Sequence, residues 1–115
     1  MKIVFAGTTP FSAFHLHLLI KSKNEVAAVL TQPDRKSGRG KNLKPSPVKT
    51  FSEKEGLQII QPKSLKNNPE VIEGLKAISP DLILVVAYGL ILPPEIISLP
   101  EFGCINVHAS LLPRW

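Results

Sequence analysis

The chain has 115 residues, of which 43% are hydrophobic, so one domain or part of one is the most it can form. Its apolar runs, such as residues 82–87, are far shorter than the roughly 20 residues that a membrane-spanning helix needs, and residues 1–4 show no secretory signal. We therefore expect a cytoplasmic protein without a membrane partner. The single cysteine, Cys104, excludes a disulfide framework within the chain and a cysteine-based metal cluster.

The predicted elements alternate between strand and helix. Apolar and β-branched runs predict strands at residues 2–6, 26–31, 57–60, 81–87 and 103–108. Helical spacing or capping signals predict four helices: one carrying Phe11, Phe14, Leu18 and Leu19, two that start after Ser46 and Asn68, and a short one carrying Ile96, Ile97 and Leu99. This alternation predicts an α/β fold with a Rossmann-like, mostly parallel sheet and helices on both faces.

The ends of the predicted strands indicate where a ligand binds. In such sheets, ligands lie beyond the carboxyl ends of the strands, where Gly7, Thr8, Tyr88, Gly89 and residues 106–110 fall. The first of these turns reads Gly-Thr-Thr-Pro and lacks the three spaced glycines of a dinucleotide-binding loop. A nicotinamide cofactor is therefore not expected, and neither is a Walker-type phosphate loop.

The net charge of +5 comes from one segment. Asp34 is the only acidic residue between Gln32 and Lys49, a segment that contains six basic residues, Arg35, Lys36, Arg39, Lys41, Lys44 and Lys49; the rest of the chain is neutral. A neutral body with one basic segment favours binding of a polyanion, most often a nucleic acid. Charge alone leaves open the alternative of a solvated surface loop.

Asn106 and His108 are the residue pair best suited to catalysis. Their spacing in a predicted strand directs both side chains to one face of the sheet. A carboxamide can donate a hydrogen bond to an oxyanion while an imidazole moves a proton, as acyl or one-carbon transfer requires. The pair alone is also compatible with a structural or surface histidine.

The sequence from Asn106 to Trp115, Asn-Val-His-Ala-Ser-Leu-Leu-Pro-Arg-Trp, resembles the signature of the folate-dependent formyltransferases. That signature is shared by enzymes acting on glycinamide ribonucleotide and on sugar nucleotides. Gln-Pro-Asp at residues 32–34, Gly-Arg-Gly at residues 38–40 and Pro-Ser-Pro-Val-Lys at residues 45–49 select the branch that acts on methionyl-tRNA. The similarity covers residues 1–115.

This resemblance implies a substrate pair and a set of site residues. The reaction would transfer a formyl group from 10-formyltetrahydrofolate to the amino group of methionyl initiator tRNA, with Asn106 and His108 as catalytic residues and with no metal. The folate would contact two segments, Tyr88, Gly89, Leu90, Ile91, Leu92 and Pro93, and Ser110, Leu111, Leu112 and Pro113. The tRNA would contact the basic loop at Arg35, Lys36, Gly38, Arg39, Gly40, Lys41 and Lys44.

In the family, the catalytic domain continues past the position of Trp115 and is followed by a carboxy-terminal barrel domain. We therefore expect residues 1–115 to be the amino-terminal portion of the catalytic domain, inactive alone and with an uncovered last strand. An aspartate that completes the family's site lies beyond this sequence. The whole protein would be a monomer. Two alternatives remain open: a related formyltransferase with a small-molecule amine acceptor, and a noncatalytic RNA-binding module.

Overall fold

A computed structural model describes residues 1–37, 40 and 42–108 of the chain. Its strands are β1 (Lys2–Gly7), β2 (Glu25–Leu30), β3 (Arg35–Ser37), β4 (Asn42–Lys44), β5 (Ile59–Ile60), β6 (Leu82–Val86) and β7 (Cys104–Val107). Its helices are α1 (Pro10–Ile20), α2 (Pro47–Lys54), α3 (Pro69–Ile78) and α4 (Pro94–Ile97). None of the helices in these residues is long and apolar enough to cross a membrane.

Five of the strands form a parallel sheet in the order β5-β2-β1-β6-β7. The chain runs outward from β1 in one direction through β2 and β5, and later in the other direction through β6 and β7. The switch point therefore lies between β1 and β6, where doubly wound sheets open a crevice for ligands. The predicted Rossmann-like parallel sheet is confirmed.

Helices cover both faces of this sheet, as predicted. One apolar cluster joins Leu16 of α1 and Val48 of α2 to the side chains on one face, including Phe5 and Val29. The other cluster joins residues of α3 and α4 to the opposite face, with Val71, Leu75 and Ile96 packed near Val4, Ala6, Ile83 and Val85. Alternate residues of β1 and β6 thus pack in different clusters, as expected for strands whose two faces are both buried.

The helix starts follow the capping signals of the sequence. Ser46 and Asn68 occupy the N-cap positions of α2 and α3 and accept hydrogen bonds from the backbone N–H groups of Lys49 at 3.0 Å and Val71 at 3.2 Å. A proline follows each cap, where its missing N–H costs no helical hydrogen bond. Both predicted helix starts are therefore confirmed.

Two features differ from the sequence expectation. The basic segment, expected to be a loop, contains the antiparallel strand pair β3–β4, with Arg35 opposite Lys44 and Lys36 opposite Leu43. The third predicted strand is shorter than expected, because only residues 59 and 60 pair with β2. Among the described strands, β7 lies at one edge of the sheet, and its Ile105 is 50% exposed.

The chain leaves β6 through a left-handed turn. Ala87 and Gly89 have φ angles of 48° and 93°, a region that side chains other than glycine seldom adopt. A Cβ atom on Gly89 would clash with the side-chain amide of Gln32, which would have to move. The backbone angle therefore favours glycine at position 89, and a larger residue would also displace the amide that binds the Tyr88 carbonyl.

We expect Gly89→Ala to lower the free energy of unfolding by roughly 1–3 kcal/mol, since alanine is strained at this φ and must displace Gln32. The matched control is Gly74→Ala in α3, where an added Cβ meets nothing within 4 Å. That change should stabilise the protein by about 0.5–1 kcal/mol, because alanine is the better helix former. Urea unfolding of both variants measures the difference, and an equal effect at the two positions would contradict the prediction.

Candidate functional site

The first cavity of the candidate site, the edge-strand cavity, lies between the end of β6 and the end of β7. It has a volume of about 460 Å³ and is lined by Val85, Ala87, Tyr88, Gly89, Leu90, Ile91, Leu92, Ile97, Cys104, Asn106, Val107 and His108. Most of this lining is apolar, with a few polar groups at the strand ends. Such a combination is typical of a small-molecule site, in which polar groups fix the orientation of a largely apolar ligand.

The parallel register of β7 explains why Asn106 and His108 share this cavity. Asn106 lies opposite Val85 of β6, and Cys104, two residues earlier, packs against the cluster that contains α3 and α4. Val107 packs against the opposite cluster. Alternation therefore places Asn106 on the face of Cys104, while His108 follows the end of the strand, and both side chains are exposed in the cavity wall. The structure brings the predicted pair to one site.

The segment after β6 forms the opposite wall, with its members buried to different degrees. Leu90 and Leu92 are half-buried against the core, whereas Ile91 is 87% exposed. Gly89 to Pro93 also line a neighbouring cavity of about 590 Å³, against residues 64–67. Leu90 and Leu92 therefore pack against the core and also line a cavity, and the folate contact expected at these residues stays a prediction.

Tyr88 contributes differently from its neighbours. Its side chain is 2% exposed and packs in the core, and its hydroxyl has no hydrogen-bond partner among the described residues. Burial raises the pKa of this phenol above its ordinary value, so the hydroxyl stays protonated at neutral pH. The part of Tyr88 that takes part in polar contacts is its carbonyl oxygen.

The second cavity, here called the hairpin-side cavity, lies on the other side of residues 87–89. Its volume is about 620 Å³, and its lining comprises Thr8, Thr9, Gln32, Pro33, Arg35, Lys44, Pro45, Ser46, Pro47, Ala87, Tyr88 and Gly89. The strand ends at which the sequence predicts a ligand therefore border two adjacent cavities, which share residues 87–89.

Polar contacts hold this dividing wall in place. The Tyr88 carbonyl accepts hydrogen bonds from Thr8 Oγ1 and from Gln32 Nε2, each at 2.8 Å. The backbone N–H of Thr8 donates to the carbonyl of Ala87 at 3.2 Å. The hydroxyl of Ser12 in α1 also donates to the carbonyls of Val86 and Ala87. The wall is thus attached to the ends of β1 and β2 rather than only to its own strand.

A second polar cluster fixes the segment between β2 and β3. Lys49 Nζ of α2 lies 3.0 Å from a carboxylate oxygen of Asp34, and Gln61 Nε2 donates to the other oxygen of that carboxylate at 2.9 Å. The hydrogen bond from Gln61, followed by the contact with Lys49, holds the pKa of Asp34 below its usual range. Lys49 therefore has a structural partner and is not simply a solvated helix residue.

The predicted nucleic-acid contacts fall on the strand pair β3–β4. The side chains of Arg35, Lys36 and Lys44 are exposed, and Arg35 and Lys44 also line the hairpin-side cavity. Gly40 is exposed in the turn region. Gly38, Arg39 and Lys41 lie outside the described residues, as do the expected folate contacts Ser110, Leu111, Leu112 and Pro113.

Sequence reasoning missed several residues of these cavities. The Gln-Pro-Asp motif includes Gln32, but no sequence signal indicates the side-chain amide contacts of Gln32 or of the nearby Gln61. Ile97 and the half-buried thiol of Cys104 line the edge-strand cavity, and burial raises the pKa of that thiol. Within residues 1–37, 40 and 42–108, no group of three or more His, Cys, Asp or Glu residues is placed to hold a metal ion.

Comparisons with known proteins agree with the family resemblance. Methionyl-tRNA formyltransferase of Prochlorococcus marinus (strain MIT 9312) is 53% identical over all 115 residues, and that of Methylococcus capsulatus is 56% identical over the same length. The chain covers only 35% and 37% of these two relatives. Glycinamide ribonucleotide transformylase 1 from Symbiobacterium toebii shares the fold, with a TM-score of 0.64, 15% identity, and coverage of 98% of this chain and 53% of that one. A family model described as formyl transferase matches residues 1–115, and the chain belongs to that family.

Proposed function

We propose that this chain is the amino-terminal part of a methionyl-tRNA formyltransferase, which transfers a formyl group from 10-formyltetrahydrofolate to the amino group of methionyl initiator tRNA. The observation that carries the proposal is the shared position of Asn106 and His108. Both line the edge-strand cavity together with the apolar segment after β6. The high identity to methionyl-tRNA formyltransferases supports this acceptor rather than a small-molecule amine.

The edge-strand cavity suits the formyl donor. Its volume of about 460 Å³ lies within the range of small-molecule sites, and Leu90, Leu92 and Ile97 offer apolar surface to a flat heteroaromatic ring. The polar groups of Asn106 and His108 lie at one end, beside the backbone of the segment after β6. A formyl group held between these side chains and the dividing wall would lie beside the hairpin-side cavity, which shares residues 87–89.

The two side chains would perform complementary tasks in the transfer. The attacking amine forms the new N–C bond as the bond from the formyl carbon to the folate nitrogen breaks, and one proton passes from the amine to the leaving nitrogen. The Asn106 carboxamide donates a hydrogen bond to the formyl oxygen as negative charge develops there. The His108 imidazole accepts the proton of the amine and delivers it to the leaving group.

The basic strand pair would hold the tRNA beside this site. Arg35 and Lys44 lie on paired strands and also line the hairpin-side cavity, so phosphates bound to them lie next to the dividing wall. Such phosphate contacts position a nucleic acid without reading its sequence. The cytoplasmic location and monomeric state of the whole protein stay predictions.

The catalytic roles can be tested in a chimera in which this chain replaces the matching amino-terminal third of the Prochlorococcus marinus relative. We expect Asn106→Ala to lower kcat for formylation of methionyl-tRNA by about 10²–10³-fold, the usual cost of a lost oxyanion donor. His108→Ala should cost about 10²–10⁴-fold through loss of proton transfer.

Matched controls are Asn24→Ala, in the turn before β2 at the opposite end of the sheet, and His15→Ala in α1. Both should leave kcat within about twofold of the parent chimera, because surface changes remote from the site have small effects. An Asn106→Ala chimera with parental kcat would contradict the assigned role. A chimera that formylates only a small-molecule amine would favour the alternative acceptor class.

The tRNA contacts predict a change in salt dependence. Arg35→Ala and Lys36→Ala each remove one phosphate contact. Each should weaken binding to every RNA sequence tested and reduce the steepness of log affinity against log salt concentration by about 1. Lys23→Ala, a change of an exposed lysine in the turn before β2, is the control and should leave the slope unchanged. Filter binding or anisotropy between 50 and 200 mM salt, about the range in which such slopes are measured, reads out the effect. Unaltered slopes in all three variants would argue against the strand pair as the tRNA surface.

A further inference from the structure

One side chain, that of Gln32, connects the basic strand pair to the wall of the edge-strand cavity. Its Nε2 donates to the Tyr88 carbonyl at 2.8 Å, and its Oε1 accepts a hydrogen bond from Nη2 of Arg35. Its own backbone is also held, because its carbonyl accepts from Gln61 Nε2 at 3.2 Å. The two ends of a single amide thus contact the two surfaces that the proposed function assigns to different substrates.

The wall that Gln32 contacts has a conformation that needs external support. Ala87 and Gly89 both have positive φ angles, and the Tyr88 carbonyl between them receives hydrogen bonds only from Thr8 and Gln32 among the described residues. Residues 87–89 line both the hairpin-side and the edge-strand cavities. An ordered Gln32 side chain therefore fixes the shape of the edge-strand cavity from its far side.

The other end of the amide contacts a group that a nucleic acid would order. Arg35 is exposed, and a free guanidinium on a long side chain samples many rotamers. A guanidinium has five N–H donors, so it can bind a phosphate while Nη2 still donates to Gln32. A phosphate bound at Arg35 would hold the guanidinium, and through it the Gln32 amide, in the orientation that supports the wall.

We propose that Gln32 is a positioning residue that couples binding of tRNA at the strand pair to binding of the formyl donor in the edge-strand cavity. The inference rests on the proposed function of the two surfaces. When RNA has already ordered Arg35 and Gln32, donor binding no longer bears the entropic cost of ordering them, which gives positive cooperativity without a large structural change. A coupling of this kind is typically at least about 5-fold in affinity.

The coupling is measured in the Prochlorococcus marinus chimera described above, here called the parent chain, by titration with 5-formyltetrahydrofolate, a stable formylated folate, with and without a saturating acceptor-stem RNA. In the parent chain we expect the RNA to tighten folate binding about 5-fold or more. Gln32→Met keeps the length of the side chain and removes both hydrogen bonds, so the two folate affinities should become equal. Gln58→Met makes the same chemical change at an exposed position beside β5 and should keep the parental coupling.

A second variant separates the two ends of the amide. Gln32→Glu keeps an acceptor for Arg35 and loses the donor to the Tyr88 carbonyl, so coupling should be lost. Its negative charge beside Arg35 should also weaken RNA binding, so the coupling is measured at an RNA concentration that saturates this variant. The backbone amide signal of Gly89 in a two-dimensional NMR spectrum provides a structural readout, and the same spectrum establishes that each variant is folded. RNA should shift this signal in the parent chain and in Gln58→Met, and should leave it unshifted in both Gln32 variants.

The outcomes distinguish this inference from the proposed function. A parent chain that binds both ligands without coupling, or a Gln32→Met variant with parental coupling, overturns the role of Gln32 and leaves the proposed function intact. A parent chain that binds neither the folate nor the RNA overturns the proposed function and this inference with it. The inference is supported if coupling is lost in Gln32→Met and Gln32→Glu and is kept in Gln58→Met.

Discussion

The candidate site depends on how the chain is held as it leaves strand β6, next to the central strand β1. Parallel pairing with β1 on one side and β7 on the other brings three strand ends to one edge of the sheet. The left-handed turn at residues 87–89 then places a strip of backbone between them, with the Tyr88 carbonyl bound by Thr8 and Gln32. This strip gives both cavities a common wall. Those two hydrogen bonds therefore help to fix the wall that both cavities share.

Asn106 and His108 line a cavity beside this wall because of how β7 pairs with β6. β7 lies at the sheet edge and pairs only with β6 among the described strands, so its position is fixed from one side. Parallel register sets Asn106 opposite Val85, and the alternation of strand side chains sets the face. A slip of one residue would turn Asn106 to the opposite face of β7, where Val107 packs beside the cluster of α1 and α2. The packing of the partly buried Val107 against that cluster therefore helps to specify the register that exposes Asn106.

Much of the fold could be predicted from the sequence because local signals and tertiary packing agree. The caps Ser46 and Asn68 and the spacing of Asn106 and His108 depend on neighbours within a few residues.

The buried face of α1 could not be predicted in this way. Phe11, Phe14 and Leu18 have helical spacing yet are exposed, whereas Ser12 and Leu16 are fully buried. This helix is apolar around its circumference, so periodicity does not select a face, and the close packing of Ser12 against the β6 carbonyls decides it.

The polar network at the strand ends could not be predicted from the sequence, for a different reason. Gln32 contacts Tyr88, 56 positions later, through one amide, and this contact exists only once the sheet order has placed β2 near the end of β6. The basic residues around it were visible as charge, but charge does not indicate that Arg35 and Lys44 would pair across two strands. Because β1 separates β2 from β6 in the sheet, Gln32 must reach across the end of β1, beside Thr8, to contact the wall. The topology therefore explains both why this contact could not be predicted and why Gln32 touches surfaces that are otherwise separate.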